Sequence, residues 1–155
     1  MKENSVEQNN ETIKELQDIF STHKERKISV VGTTCTGKST LIKNFPQAKE
    51  LRDIAPTLSE EEKSIFNKTP WTIEIGEAVK KMRGEKAKIK AGEPVFGTVI
   101  AKGSDLIIYL DIDDKLLKQR TIARNVSFED AKNMQRWILE EINKSGLETI
   151  NIKVK

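Results

Sequence analysis

One cysteine, one histidine and one tyrosine occur among the 155 residues. The lone cysteine, Cys35, excludes an internal disulfide framework and suits a reducing compartment. The lone histidine, His23, is distant from it in sequence. No local Cys-His pair exists to make a nucleophile, so Cys35 reads as a tolerated small residue. Long apolar runs are also missing. No stretch nears the roughly 18 residues of a membrane helix, and Met1–Ser5 leads into a polar segment without an apolar signal core. A cytoplasmic protein with no membrane association is expected. Lysine/arginine runs interleaved with aromatics are absent, and the net charge is only +3. Nucleic acid is therefore not an expected partner, and an anionic phosphate ligand accounts for the basic bias equally well.

Apolar residues make up 36% and charged residues 33% of the chain, enough for one core over residues 1–155 and too apolar for disorder. Residues 1–24 read as an N-terminal helical extension, polar and frayed over 1–10. In it Ile13, Leu16, Ile19 and Phe20 recur at helical spacing from Glu11 to about Thr22. That helix is expected to pack on the outside of a core spanning 27–154. In the core, Lys27–Val31 reads as a buried strand, followed after a loop by a helix from Lys38 to Asn44. Ala48–Ile54 reads as a weak strand, ending near Asp53. Ser59 and Glu62 form a capping-box pattern for a helix over Glu60–Asn67. A helix over Pro70–Arg83 is expected to start at Pro70 and to bury Trp71; Trp137 reads as core as well. Strands follow over Pro94–Ala101 and Asp105–Leu110. Asp113 and Ser127 cap two helices, to about Asn125 and to Lys144, the second stopped by Gly146. Thr149–Val154 alternates as a fifth strand. Strands alternating with helices imply a parallel sheet covered on both faces, an α/β architecture.

Two segments carry chemistry. The first is Gly32-Thr33-Thr34-Cys35-Thr36-Gly37-Lys38-Ser39. The pattern G-x-x-x-x-G-K-[ST] is a phosphate-cradling P-loop when it follows a strand and opens a helix, and both conditions hold here. Glycines let the backbone amides turn inward toward phosphate oxygens. Residues Gly32 to Thr40 are the expected ATP-binding set. Lys38 is expected to reach the β- and γ-phosphates, and Ser39 to place its hydroxyl on Mg²⁺.

The second segment runs from Tyr109 through Asp111 to Arg124. Arg120 and Arg124 are four apart and share one helix face. Planar guanidinium forks match phosphate oxygens and offset charge that develops during phosphoryl transfer. The plainer reading is a solvated basic face beside Lys115 and Lys118.

Taken together, Gly32–Ser39 and Asp105–Asp111 running into Arg120 and Arg124 resemble the small-molecule kinases of the P-loop class. That class includes the nucleoside monophosphate, deoxynucleoside and shikimate-type kinases. The strand ending in Leu-Asp before R-x-x-x-R looks like a thymidylate-kinase lid. This resemblance implies a three-layer P-loop NTPase fold with five parallel strands in the order 2-3-1-4-5. It also implies transfer of the ATP γ-phosphate to a nucleotide, nucleoside or other small acceptor, with Mg²⁺ as cofactor. Asp53, by likeness to the acid near the second strand of such kinases, is the expected base for the acceptor hydroxyl. Asp111 resembles the acid that holds Mg²⁺ through water. Arg52 and Arg83 are candidate ligands of an acceptor phosphate. Pro94–Ile100 stands where many of these kinases carry an Asp-Arg pair after the third strand. That departure keeps open a degenerate scaffold, a nucleotide-binding regulatory or interaction protein with little turnover. A nucleic-acid-directed ATPase has only the lysines between Lys80 and Lys90 in its favour. An oligomer is neither implied nor excluded.

Overall fold

The chain's most apolar segment becomes β4 (Leu106–Ile112), beside β1 (Ile28–Val31) in the interior of a sheet. Both strands are buried on two faces, as the near-continuous apolar runs require of a covered parallel sheet. The computed structural model describes the backbone of residues 2–155 and the side chains of residues 10–155. Five strands, all parallel, run in the order β2-β3-β1-β4-β5, with β2 at Lys49–Glu50, β3 at Val95–Gly97 and β5 at Glu148–Val154. Helices cover the faces: α1 (Lys2–Thr22), α2 (Lys38–Leu41), α3 (Leu51–Ile54), α4 (Glu60–Phe66), α5 (Ile73–Val79), α6 (Asp114–Ala123) and α7 (Phe128–Ser145).

The alternation of β4 divides the core in two. Leu106, Ile108, Leu110 and Ile112 join a cluster with Leu16 and Phe20 of α1 and Leu117 of α6. Ile107 and Tyr109 join another with Leu51 of α3 and Trp137 and Ile138 of α7. Capping chemistry sets several helix starts as the sequence indicates. Ser59 and Glu62 form a complete capping box on α4. Asp113 and Ser127 accept from Leu116 N and Asp130 N, and Gly146 ends α7 at φ +67°.

Four local readings are corrected. α1 starts at Lys2 rather than Glu11, and it belongs to the core. Leu16 is 0% exposed, and the Phe20 ring meets Phe45 edge-on at 5.0 Å. The strand expected over Ala48–Ile54 has only two residues, pairing Lys49 with Val95 and Glu50 with Phe96. Leu51 and Ile54, three apart, then turn the chain into α3. Asp53 is therefore on a helix, not at a strand end. The expected strand over Pro94–Ala101 stops at Gly97, after which Val99 and Ala101 enter the core from a loop. α5 starts at Ile73, because Thr72 rather than Pro70 provides the cap, its hydroxyl accepting from Ile75 N at 3.4 Å. Beyond Val79 that helix continues as a π turn over Lys80–Gly84. No helix among the described residues is long and apolar enough to cross a membrane.

Candidate functional site

The C-terminal ends of β1, β2 and β3 open on one edge, where parallel α/β sheets place ligands. β1 ends at Val31 and the loop Gly32–Gly37 follows directly. Gly32 is pressed against its neighbours: a Cβ there would stand 3.1 Å from Leu110 Cβ and 3.1 Å from Thr36 Oγ1. Cys35 and Gly37 both take the left-handed conformation, at φ +68° and +93°. That conformation is a strained choice for Cys35 and an easy one for Gly37. Side chains lock the loop from below. Thr33 Oγ1 donates to Ala131 O at 2.6 Å and Thr36 Oγ1 to Thr33 O at 2.9 Å.

Lys38 folds back over this loop. Its Nζ donates to Gly32 O at 2.6 Å, Thr33 O at 2.8 Å and Thr36 Oγ1 at 3.2 Å. Burial pushes its pKa down from 10.5 to about 7, with the charge of Arg124 lowering it further and Cys35 opposing. From α6, Arg120 reaches across the loop, and its Nη1 donates to Cys35 O at 3.2 Å. Burial and then Arg124 lower the pKa of Arg120. Among the described residues, no carboxylate pairs with Lys38, Arg120 or Arg124. The positive charges of Arg120 and Arg124 and of Lys38 when protonated repel one another, and an anion on the loop would relieve that repulsion. α2 is one turn long, so loop amides and these side chains carry more of the attraction than a helix dipole does.

Two cavities adjoin Lys38 and Ser39. One, of about 300 Å³, has Trp71, Gly76, Arg83, Arg124 and Trp137 in its walls. The other, of about 280 Å³, has Glu50, Arg52, Arg83 and Thr98. Arg83 is held with its guanidinium 4.7 Å over the Phe66 ring, and burial followed by Arg52 lowers its pKa. Trp71 and Trp137 stand 6.1 Å apart, and a Cβ on Gly76 would come within 2.8 Å of Trp71. Trp137 is core, as expected, whereas Trp71 is half-buried and walls the cavity.

The chain matches no protein-family model and no curated protein sequence.

Of the residues singled out in the sequence, the structure gathers Gly32–Ser39, Arg83, Arg120 and Arg124 around one loop. Two are placed elsewhere. Asp53 is exposed on α3 and lines neither cavity, while Glu50, three residues earlier at the tip of β2, lines one together with Ser39. Asp111 accepts from Asn151 Nδ2 at 3.5 Å and lines neither cavity. Sequence reading passed over Glu50 because it took the strand to run past it. The three-residue Leu51–Ile54 spacing was the available signal. Nothing local marks Trp71 as a cavity wall, since that depends on its contact with α7.

The Lys38 pKa makes anion binding a proton-linked event. An anion beside Nζ favours the charged amine, so its pKa rises toward the ordinary 10.5. Above about pH 8 a terminal phosphate, with its second pKa near 6, is already ionised and contributes nothing. Between there and the raised Lys38 value, ATP binding takes up close to one proton, and affinity falls by up to about tenfold per pH unit. Calorimetry at pH 8.5 in two buffers of different ionisation enthalpy reads the uptake directly.

Proposed function

We propose that this protein is a P-loop phosphotransferase. It takes the γ-phosphate of Mg-ATP and delivers it to a small acceptor held beside Trp71 and Arg83. The single observation that carries the reading is the convergence of Lys38, Arg120 and Arg124 on the Gly32–Ser39 loop with no carboxylate paired to them among the described residues. The all-parallel 2-3-1-4-5 sheet supports it, being the order the kinase resemblance implies.

ATP supplies the phosphoryl group. Loop amides and Lys38 hold its β- and γ-phosphates, and Arg120 and Arg124 offset charge on the oxygens during transfer. The residues present fit Mg²⁺, an ion that takes one or two protein ligands and completes its shell with phosphates and water. Ser39 offers a hydroxyl and Glu50 a carboxylate in the same cavity. Glu50 replaces Asp111 in that role and Asp53 in the other, acceptance of the acceptor's proton. As the acceptor oxygen bonds to the γ-phosphorus, the bond from that phosphorus to ADP breaks and the hydroxyl proton passes to Glu50. Arg52 Nε holds Glu50 Oε2 at 2.8 Å and so fixes the direction of the carboxylate. Arg83 gives the acceptor site a positive wall and the indoles a flat apolar one, so the favoured acceptor is a ring-bearing molecule with an anionic group.

The test is ADP release with a panel of nucleosides, nucleoside monophosphates and small hydroxy acids, alongside single-stranded and duplex DNA. Stimulation by one acceptor supports the reading, and stimulation by DNA alone overturns it. Within the panel, Glu50→Gln is expected to lower kcat by about 10²-fold or more, while Asp53→Asn leaves it within about twofold. The reverse ranking would return the base to Asp53. Thr98, standing just past β3 where many such kinases carry the acid, favours a second reading, a nucleotide-binding scaffold with little turnover. Tight ATP binding with a flat response across the panel would establish it.

A further inference from the structure

A cavity of about 470 Å³ stands apart from the phosphate loop, and none of Gly32–Ser39 lines it. It arises from the way β3 is joined to β4. Parallel strands are ordinarily joined by a crossover of about a dozen residues or more, commonly a helix. Here the connection, residues 98–105, is shorter and holds no helix. It lies flat on β1 instead. Ala101 N donates to Ser29 Oγ at 3.1 Å, and the Ser104 and Ser29 hydroxyls are 2.6 Å apart. The π turn holds its outer side, with Lys102 N donating to Gly84 O at 2.8 Å. The layer that a crossover helix would fill is left open between the π turn and α7, and the connection is its floor.

The walls are mostly apolar. Val99, Ala101, Trp137 and Ile138 are buried residues that line it, and Ile100 and Leu147 complete the apolar part. The volume falls within the roughly 300–1,000 Å³ of small-molecule sites, where a few polar groups on an apolar wall fix orientation. Three lysines and two glutamates supply the charge: Lys80, Lys102, Lys144, Glu85 and Glu141. Both carboxylates act on Lys80. Glu141, only 11% exposed, accepts from Lys80 Nζ at 2.7 Å, and Glu85 attracts the same ammonium through space. Lys144 is a loose second partner of Glu141, at 3.8 Å with its side chain 73% exposed. Lys102 pairs with no carboxylate among the described residues. The lining thus has one positive charge in excess, next to apolar surface. One excess charge suits a monoanion such as a carboxylate better than a phosphate monoester, which carries nearly two.

We infer that this cavity is a second small-molecule site, taking an apolar monocarboxylate whose head meets Lys102 and whose body lies against Trp137 and Ile138. The site goes beyond the phosphotransfer reading and stands whether or not the loop transfers phosphate. Thr98, Val99 and Trp137 line this cavity and the acceptor cavity alike, so an occupant presses on the back of the acceptor wall. The probes are octanoate and octylammonium, which share a chain and differ in the sign of the head. Each is titrated calorimetrically into the wild type, Lys102→Glu, Ile100→Phe and Lys38→Ala, with tryptophan fluorescence followed in parallel. Octanoate is expected to saturate one site and change the fluorescence. It is expected to bind about tenfold more tightly than octylammonium, through one attraction gained and one repulsion avoided. Lys102→Glu, an exposed change, weakens octanoate by about fivefold or more and narrows or reverses the order of the probes. Ile100→Phe fills the cavity and weakens octanoate by about tenfold. Thermal melts confirm that each variant folds, and Lys102→Glu decides alone if Ile100→Phe does not. Lys38→Ala leaves octanoate within about twofold. Loss of octanoate binding in Lys38→Ala would place the carboxylate on the phosphate loop and overturn the inference. So would octylammonium binding as tightly as octanoate, octanoate affinity unchanged in Lys102→Glu, or no saturable octanoate binding by the wild type. None of these results touches the reading of the loop as a triphosphate site.

Discussion

Lys38→Ala is expected to reduce phosphoryl transfer by about 10³-fold, with loss in both ATP affinity and kcat. The amine lies on the loop with three hydrogen bonds to loop oxygens. To reach a phosphate it exchanges those partners for anionic oxygens, and its pKa climbs from about 7. Removing it takes away the charge nearest the transferring group and the proton uptake at pH 8.5 together. The joint loss is the signature to look for. A variant that lost turnover but kept the uptake would place the titrating group elsewhere. Because Lys38 also braces the loop carbonyls, a melt on the variant separates a lost charge from a loosened loop. Lys38→Arg is a poor control, since the guanidinium fork cannot reproduce three bonds from one nitrogen.

Arg120→Ala is expected to fall almost wholly on kcat, by about 10³-fold, at the low end of what a transition-state arginine contributes. The reasoning is positional. Arg120 is already against the loop through Cys35 O at 3.2 Å, and its guanidinium is 3.5 Å from where a Cβ on Gly37 would be. Such a group needs little movement to meet phosphate oxygens, and its ordering is complete before the ligand arrives. Arg124 is exposed at the end of α6 and acts on Lys38 and Arg120 through space. Arg124→Ala is therefore the milder change, and it raises the Lys38 pKa. Steady-state kinetics with the best acceptor measures both. Equal effects on KM and kcat at Arg120 would mean that it binds ground state and transition state alike.

Much of this site is legible locally. The loop between a buried strand and a helix start needs only the glycine spacing and the apolar residues on either side. The Arg120/Arg124 face follows from four-residue spacing on a helix whose cap, Asp113, is visible in sequence. What failed was set by distant contacts. Whether Lys49–Ile54 stays in the sheet depends on how far β3 can pair with it, and two register pairs are all it gets. That puts Glu50, and not Asp53, in the cavity wall with Ser39. The periodicity of α1 shows that Leu16 and Phe20 are buried, yet it cannot say against what. Their burial on the β1–β4–β5 face, which brings Thr12 to the loop, is a tertiary fact. The strand order came from a resemblance to kinases rather than from any pattern in the strands, and the sheet has that order.

The central claim is that Lys38, Arg120 and Arg124, none of them paired with a carboxylate among the described residues, hold a triphosphate on the Gly32–Ser39 loop. Calorimetric titration of Mg-ATP into the wild type and Lys38→Ala at pH 8.5 tests it most directly. One saturable site with uptake of close to one proton in the wild type, and loss of both in the variant, is the predicted result. No saturable binding, or equal binding with equal proton exchange in the two proteins, would contradict it.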